Sequence, residues 1–513
     1  MRRLTATLLP IVVALAALAP IRSYDAFWHL ATGRWIVEHR ALPRFDPFAL
    51  ASAHVPWING EWLYEIVLFA VHAIGGVTAI SWMQALLVAA IVTSAFWFAS
   101  RTHDVTIALL VASVAFAGAS DRLGVRPSSA AALLLVIAIA VVGQRSWSIR
   151  TTTIAYAIVT IVWINVHPSA LLAPIVAGMT MLFDRKRWMV MLASAAALLV
   201  NPFGIRGITA PLELTSLVGS GAFVNAEWLP SPPALFPLLY ATIVAVALLF
   251  ALTPRRRDEL WRLAIFAMLA VLAIRHVRNQ GLYFAALPLL LPPLRWTPAR
   301  LPRIALAVAA LLPLAWAYTR EAHTTGVDAH RFPVHAVARL KAANLPGNIY
   351  DVDQFGGYLI WTFYPQRRVT TDGRNELYRD FIELDARAHA DSRAWHALLQ
   401  DYRIDIAVDE YAPPLAVMDV QSGTRRELPA SMARYRRRDW ALIAFDDAAM
   451  IFARRAAFPP DVIARLEYAT LIPDAPSLRI GNDPQRVKQE LERAKRELVD
   501  SDVVRRMEAA GEY

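Results

Sequence analysis

Long apolar runs, separated by short polar, glycine or proline joints, fill most of the first 318 residues. Each approaches the roughly 20 residues a helix needs to cross a bilayer. The runs fall at 4–21, 62–77, 79–99, 105–120, 128–143, 151–183, 188–204, 235–252, 261–275, 280–294 and 303–318, which predicts about eleven spans. The run at 151–183 is long for one crossing, and Asn165–Ser169 interrupts it. Two stretches lack the pattern: residues 22–61, and everything from 319 onward. In the second, strand-like runs at Asn348–Val352, Arg368–Asp372, Ile404–Glu410, Trp440–Phe445 and Ala448–Arg455 are spaced by helical patterns such as Ser392–Tyr402. That alternation predicts a small α/β domain over 319–457. Residues 458–513 form a charged tail, in which Asp483–Ala510 reads as an exposed helix laced by i,i+4 charge pairs. The expected fold class is an α-helical polytopic membrane protein over 1–318, with interfacial helices in its first external loop at 22–61 and a C-terminal α/β extramembrane domain.

Composition agrees. Of 513 residues, 57% are apolar and 18% charged, where a soluble domain carries roughly a quarter charged. The net charge of +10 sits largely in short arginine-rich loops such as Asp184–Trp188 and Thr253–Arg262. These are positive-inside signals rather than a nucleic-acid patch, so no nucleic-acid partner is expected. Cysteine is absent, which removes disulfides, thiolate nucleophiles and cysteine-ligated zinc. The first run reads as a retained signal anchor rather than a cleavable signal peptide, given its length and the spans that follow, and Arg2 and Arg3 hold its start in the cytoplasm, which puts Ser23 onward outside. Alternation then leaves Asp184–Trp188, Thr253–Arg262 and Arg295–Arg303 inside, and Asn201–Gly204, Arg275–Asn279 and the chain after Tyr318 outside. The first half closes only if 151–183 counts as a single crossing; otherwise Gln144–Arg150 falls outside, against the charge rule.

Several polar residues stand out against this background. From Asp25, apolar Phe27, Leu30, Ala31, Trp35 and Ile36 follow helical spacing for a helix lying at the interface. Trp28, Trp35 and Trp57 suit the headgroup level. Asp25 and His29, at i and i+4, point to one side of such a helix. A carboxylate there is placed to take a proton from a hydroxyl; the plainer reading is a helix-capping Asp25 and an interfacial His29. Glu61 lies where the chain re-enters the membrane, which is costly for an ionisable group unless it snorkels or works. Arg126 lies at the mouth of an apolar span, and Arg275, His276, Arg278 and Asn279 at the outer end of another. Guanidinium forks suit phosphate oxygens, and arginine on the external side runs against the charge rule. Asn165 and His167 interrupt an apolar run, where they either line a groove or hydrogen-bond between helices. Gly356-Gly357 reads as a tight turn, and Asp372-Gly373-Arg374 as a strand-end turn that either serves folding of the domain or covers the catalytic cleft and meets the acceptor.

The order of these segments resembles the GT-C superfamily, membrane glycosyltransferases fed by polyprenyl-phosphate sugars. The segments are YDAFWHLATGRWIVEHRALPRFDPFA, PWINGEWLYEI, RPSS, WINVHPS, NPFG, EWLPSPP, RHVRNQGLYFAALP, FGGYLIW and VTTDGRNELY. The likeness extends to protein O-mannosyltransferases, aminoarabinose transferases of lipid A and, most narrowly, GT-C-like bacterial proteins. It implies that Asp25, the acid following span one, is the general base, and that Asp46 is the second acid of that loop, binding acceptor or a divalent ion. It further implies a polyprenyl-phosphate-linked donor held near Arg278 or Arg126, a glycan, lipid or protein acceptor, inversion at the anomeric carbon, and residence in a bacterial inner membrane with the C-terminal domain on the periplasmic side. No cofactor is required; a divalent cation shared by Asp25, Asp46 and His29 is the alternative. The Asp-Glu pair common after span one in the mannosyl- and aminoarabinose-transferring members is Asp25-Ala26 here, so their donor sugar does not carry over. A lipid or polysaccharide transporter, a non-catalytic scaffold, and a lipid-linked-glycan ligase are the competing readings.

Overall fold

In a computed structural model, the structure describes residues 2–219, 226–253, 259–294, 299–418 and 425–510. The chain forms two compact units. One comprises Met1–Ser23, Thr32–Leu42 and Ile58–Gly326; the other comprises Tyr24–Ala31, Pro43–Trp57 and Val327–Tyr513.

The first unit is helical, and its helices follow the apolar runs. Trp62–Ala99, Val105–Arg122 and Leu301–Arg320 are long and apolar enough to cross a membrane. Thr5–Ala16, Pro127–Gly143, Ile149–Ile164, Pro168–Leu182 and Pro237–Leu252 are shorter apolar helices. Trp188–Ala197 and Gln280–Leu290, both read as spans, are helices of 10 and 11 residues. Part of two basic joints, residues 254–258 and 295–298, lies outside the described residues. The expected break between residues 77 and 79 is present as a kink: Gly75 and Gly76 leave helical geometry inside Trp62–Ala99, with Gly76 at φ 61°. The break at Asn165 has a side-chain cause. Asn165 Nδ2 donates to the Ile161 carbonyl (2.8 Å) and the Val200 carbonyl (2.9 Å), and its Oδ1 accepts from Trp62 Nε1 (2.9 Å).

Gln280–Leu290 is the axis of this unit, with every residue buried. It packs against Val105–Ala119, Pro127–Gly143, Leu260–Arg275 and Trp62–Ala99. Gly118 allows that approach, because a Cβ there would lie 2.4 Å from the Phe284 ring. Some basic-loop arginines also serve the fold. Arg187 donates to the Val142 carbonyl (3.0 Å), and Arg262 to those of Leu289 (3.0 Å) and Leu291 (3.1 Å). They satisfy carbonyls that helix ends leave without partners.

The second unit is built on a four-stranded sheet. Its strands are β1 (Asn348–Asp351), β2 (Ile404–Glu410), β5 (Trp440–Phe445) and β6 (Ala449–Arg454), in the order β1-β2-β6-β5. β1 and β2 run parallel and the other pairs antiparallel. β3 (Leu415–Met418) and β4 (Arg425–Leu428) form a separate antiparallel pair. The run expected as a strand at Arg368–Asp372 extends the sheet edge through single bridges: Val369 pairs with Ile349 on one side and with Ala49 on the other. Leu50 N donates to the Val369 carbonyl (2.9 Å) and Ala51 N to that of Thr370 (3.2 Å). The loop after the second helix, Ala26–His39, is thereby stitched into this unit.

Three sequence expectations differ here. Gly356 and Gly357 sit inside a helix, Asp353–Phe363, rather than in a turn. The helix starting at Ala26 buries Phe27, Trp28, Leu30 and Ala31 within the protein instead of laying them on an interface. The charged tail forms two helices, Pro484–Glu497 and Asp502–Ala509, each with a buried apolar face of Val487, Leu491 and Ala494, or Val503, Val504 and Met507. Spacing of i, i+4 and i+7 in the first was masked by the surrounding charge.

Candidate active site

In the second unit, the Asp372-Gly373-Arg374 turn is the hub. Asp351, at the end of β1, fixes its approach by accepting from the amides of Thr370 (2.8 Å) and Thr371 (3.4 Å). Burial pushes the Asp351 carboxyl well above the usual range; those amides oppose the shift and Asp372 adds to it. Gly356 makes the close passage possible, since a Cβ there would lie 2.0 Å from the Thr371 carbonyl oxygen and 2.8 Å from Asp372 Cα. Gly357 plays the same part toward the opening stretch, with its missing Cβ 3.1 Å from Tyr24 O and Trp28 N.

Arg374 is 1% exposed. Its Nε donates to Asp372 Oδ1 (2.9 Å), and Nη2 reaches Asp46 Oδ1 (3.0 Å) and Oδ2 (3.1 Å) as well as Asp372 Oδ2 (2.5 Å). Tyr378 donates to Asp372 Oδ2 (2.8 Å), while Ser52 Oγ and Phe48 N donate to Asp46. The guanidinium lies over the rings of Trp57 (4.5 Å), Phe48 (5.5 Å) and Trp28 (5.6 Å). Burial works against its charge, but Asp372 and Asp46 outweigh it and hold Arg374 protonated, above the ordinary range. Trp28 and Trp57, read as interfacial, are therefore walls of a cation cage. Asp46 carries donors on both oxygens, one of them a guanidinium, the environment of an ion-pair partner rather than of a cation ligand.

Asp25 sits beside this hub. It is half-buried. Its Oδ1 accepts from Trp28 Nε1 (3.3 Å) and lies 2.9 Å from where a Cβ on Gly373 would be. His29 is 2% exposed, its ring 3.5 Å from that of Trp28 between centroids. Elsewhere in this unit, ligand atoms of His330, Asp447 and Asp502 lie within 4.8 Å of one another. The Asp447 oxygens there accept from Ser501 Oγ (2.7 Å) and from the amides of Asp502 (3.0 Å) and Val503 (3.0 Å), capping the last helix.

The first unit gathers a second set. Arg126 forms an ion pair with Glu227. Arg278 lies 4.6 Å from the Trp228 ring, and His276 Nδ1 is 2.7 Å from the Trp228 carbonyl. His167 Nε2 is 3.7 Å from Glu61 Oε1. The Ser169 amide donates to His167 Nδ1 (3.0 Å), so a neutral His167 carries its proton on Nε2, toward Glu61. Both Arg126 and Arg278 act electrostatically on His167 and on Glu227, and Arg126 with Glu61 acts on Tyr64. Burial disfavours charge on Glu227, yet Arg126, Arg278 and Arg122 hold its carboxyl below the usual range.

Of the residues singled out in the sequence, Glu61, Arg126, His167 and Arg278 converge in the first unit. Asn165 instead joins helices, and Asn279 donates to the Leu272 carbonyl (3.3 Å). Asp25, His29 and Asp46 belong to the second unit with the 372–374 turn. Sequence reasoning missed Glu227 and Tyr64, and left Arg374 between a folding role and one at the cleft or acceptor. An acid in the external EWLPSPP segment, opposite unexpected external arginines, was the available signal for Glu227.

No protein-family model matches the chain, and no curated protein matches its sequence. Solved structures do match. The Archaeoglobus fulgidus oligosaccharyltransferase in its apo form aligns over 83% of this chain and 74% of its own, with a TM-score of 0.55 at 10% identity. The same protein in complex with Zn and sulfate aligns over 82% and 73%, with a TM-score of 0.53 at 11% identity. ArnT from Cupriavidus metallidurans in the apo state aligns over 89% and 98%, with a TM-score of 0.50 at 13% identity. The chain has a GT-C-like fold.

Proposed function

We propose that this protein is an integral-membrane glycosyltransferase that moves a sugar from a polyprenyl phosphate to an acceptor hydroxyl at the external face, with Asp25 as general base. The observation that carries the reading is the state of Asp25: a half-buried carboxylate, the first acid after the N-terminal helix, held against the 372–374 turn in a GT-C-like fold. Asp46 and Asp372 are each held by Arg374, so neither is suited to proton transfer.

In the reaction, the Asp25 carboxylate takes the acceptor hydroxyl proton as the oxygen attacks the anomeric carbon. The carbon–oxygen bond to phosphate breaks, its electron pair leaves with the polyprenyl phosphate, and configuration inverts. Asp25 then returns the proton to water. Phosphate is a competent leaving group, so one base and good positioning suffice. Arg126 and Arg278 are the residues suited to the donor phosphate. Arg126 is already paired with a carboxylate oxygen of Glu227, the kind of acceptor a phosphate oxygen would replace. The oligosaccharyltransferase is known here in complex with Zn; for this chain, the His330, Asp447 and Asp502 group supplies the ligand types, and the scheme itself takes no step through a metal.

The test is restoration of the envelope glycan and glycolipid mass profile in a deletion strain. Asp25→Asn should abolish it while the protein accumulates at wild-type level, and Arg126→Ala with Arg278→Ala should depress it at least tenfold. A strain fully restored by Asp25→Asn would favour the scaffold reading and remove the enzymatic one.

A further inference from the structure

The Asp25 carboxylate is confined by two neighbours that have no chemistry of their own to perform. Trp28, one turn along the helix that starts at Ala26, donates its indole Nε1–H to Asp25 Oδ1 (3.3 Å). The Trp28 ring is itself held. It is 7% exposed, with the Arg374 guanidinium 5.6 Å from its centre on one side and His29 at 3.5 Å. On the remaining side, Gly373 presents bare backbone. A Cβ there would meet Asp25 Oδ1 at 2.9 Å and Trp28 Nε1 at 3.7 Å. Gly373 has no positive φ, so its backbone conformation is open to any residue. The feature that requires glycine at this position is the space the carboxylate uses.

We infer that Trp28 and Gly373 are positioning residues for Asp25: the indole N–H fixes one carboxylate oxygen and stabilises its ionised form, and the missing Cβ leaves the notch in which that oxygen rests. This rests on the reading of Asp25 as general base. The caged Arg374 orients Trp28, so the buried ion cluster reaches the reacting carboxylate through the indole. A hydrogen bond to the charged form of an acid favours that form. Losing the donor therefore raises the pH at which Asp25 gives up its proton, and a base protonated at working pH cannot accept another.

The test uses the full-length protein in detergent and two substitutions that keep the surroundings. Trp28→Phe keeps an aromatic ring over Arg374 and removes the N–H together with the smaller ring of the indole. Gly373→Ala adds one methyl, whose closest contacts are the ends of two side chains. Labelling of Asp25 by a water-soluble carbodiimide, which reacts with protonated carboxyls, is followed against pH by peptide mass spectrometry, with Asp25→Asn as blank. Trp28→Phe should move the half-labelling pH upward by about half a unit or more, equivalent to about threefold. Gly373→Ala should increase the labelling rate by freeing the carboxylate, leave the thermal midpoint near wild type, and cut restoration of the glycan profile at least tenfold. Labelling curves that superimpose on wild type in both variants would overturn the inference even if Asp25→Asn is inactive. A fully active Asp25→Asn would instead remove the general-base reading, whatever the labelling curves do.

Discussion

Arg374 joins two buried carboxylates of the second unit through one side chain. It stands between Asp46 and Asp372, which lie 328 and 2 residues away in sequence. Removing it leaves two carboxylates facing each other in a site with almost no water. Breaking a buried ion pair from one side costs about 3–5 kcal/mol. Arg374→Met should therefore destabilise the C-terminal unit by about that much, read as a fall in its thermal midpoint by limited proteolysis of the full chain. Arg374→Lys keeps the charge but loses the planar fork and the stacking on Trp57, so it should fall between. Adding Asp46→Asn to Arg374→Met should recover part of the loss; a purely additive double variant would mean the pair is not coupled. At this scale the sequence showed the participants and hid their partnership. Asp25 was legible because an acid directly after an apolar anchor is unusual. The Asp46–Arg374 pair was not, because nothing local in either loop signals a partner more than three hundred residues away.

Helices and turns were legible where a glycine or an asparagine interrupts an apolar run. Gly75 and Gly76 break the long helix where two spans were expected to meet, and Asn165 ends another, its side chain donating to the Ile161 carbonyl of that helix and to the Val200 carbonyl. Gly356-Gly357 misled for a physical reason. Glycine marks either a special backbone angle or a close approach, and the sequence does not say which. Here it is approach, which gives contrasting expectations for two alanine substitutions. Gly356→Ala drives a Cβ to 2.0 Å from a backbone carbonyl, which overpacking puts at about 1–3 kcal/mol or more; it should lower the stability of the C-terminal unit sharply and weaken function with it. Gly76→Ala meets nothing within 4 Å and bears only the cost of its backbone conformation (φ 61°, ψ −154°), a region nearly reserved for glycine, about 1–3 kcal/mol. Thermal unfolding of Gly356→Ala decides the matter, and a midpoint unchanged from wild type would contradict the packing role of Gly356.

For the whole molecule, the claim that matters most is which side of the membrane each part occupies, because a general base serves a lipid-borne donor only where that donor is presented. Arg2 and Arg3 at the start of the first helix, and Arg185, Lys186 and Arg187 in a later joint, favour the cytoplasmic side. Absence of cysteine makes this directly measurable, since every introduced thiol is a unique reporter. Gln489 and Arg185 are both exposed, so neither replacement disturbs packing. In intact spheroplasts, a membrane-impermeant maleimide should label Gln489→Cys at once and Arg185→Cys only after permeabilisation. The opposite pattern would bring the C-terminal unit, and with it the Asp25 segment that folds into that unit, to the cytosolic face. Transfer from an externally presented polyprenyl-phosphate sugar would then have no base to start it, and the arginines at 126 and 278 would need a different anion.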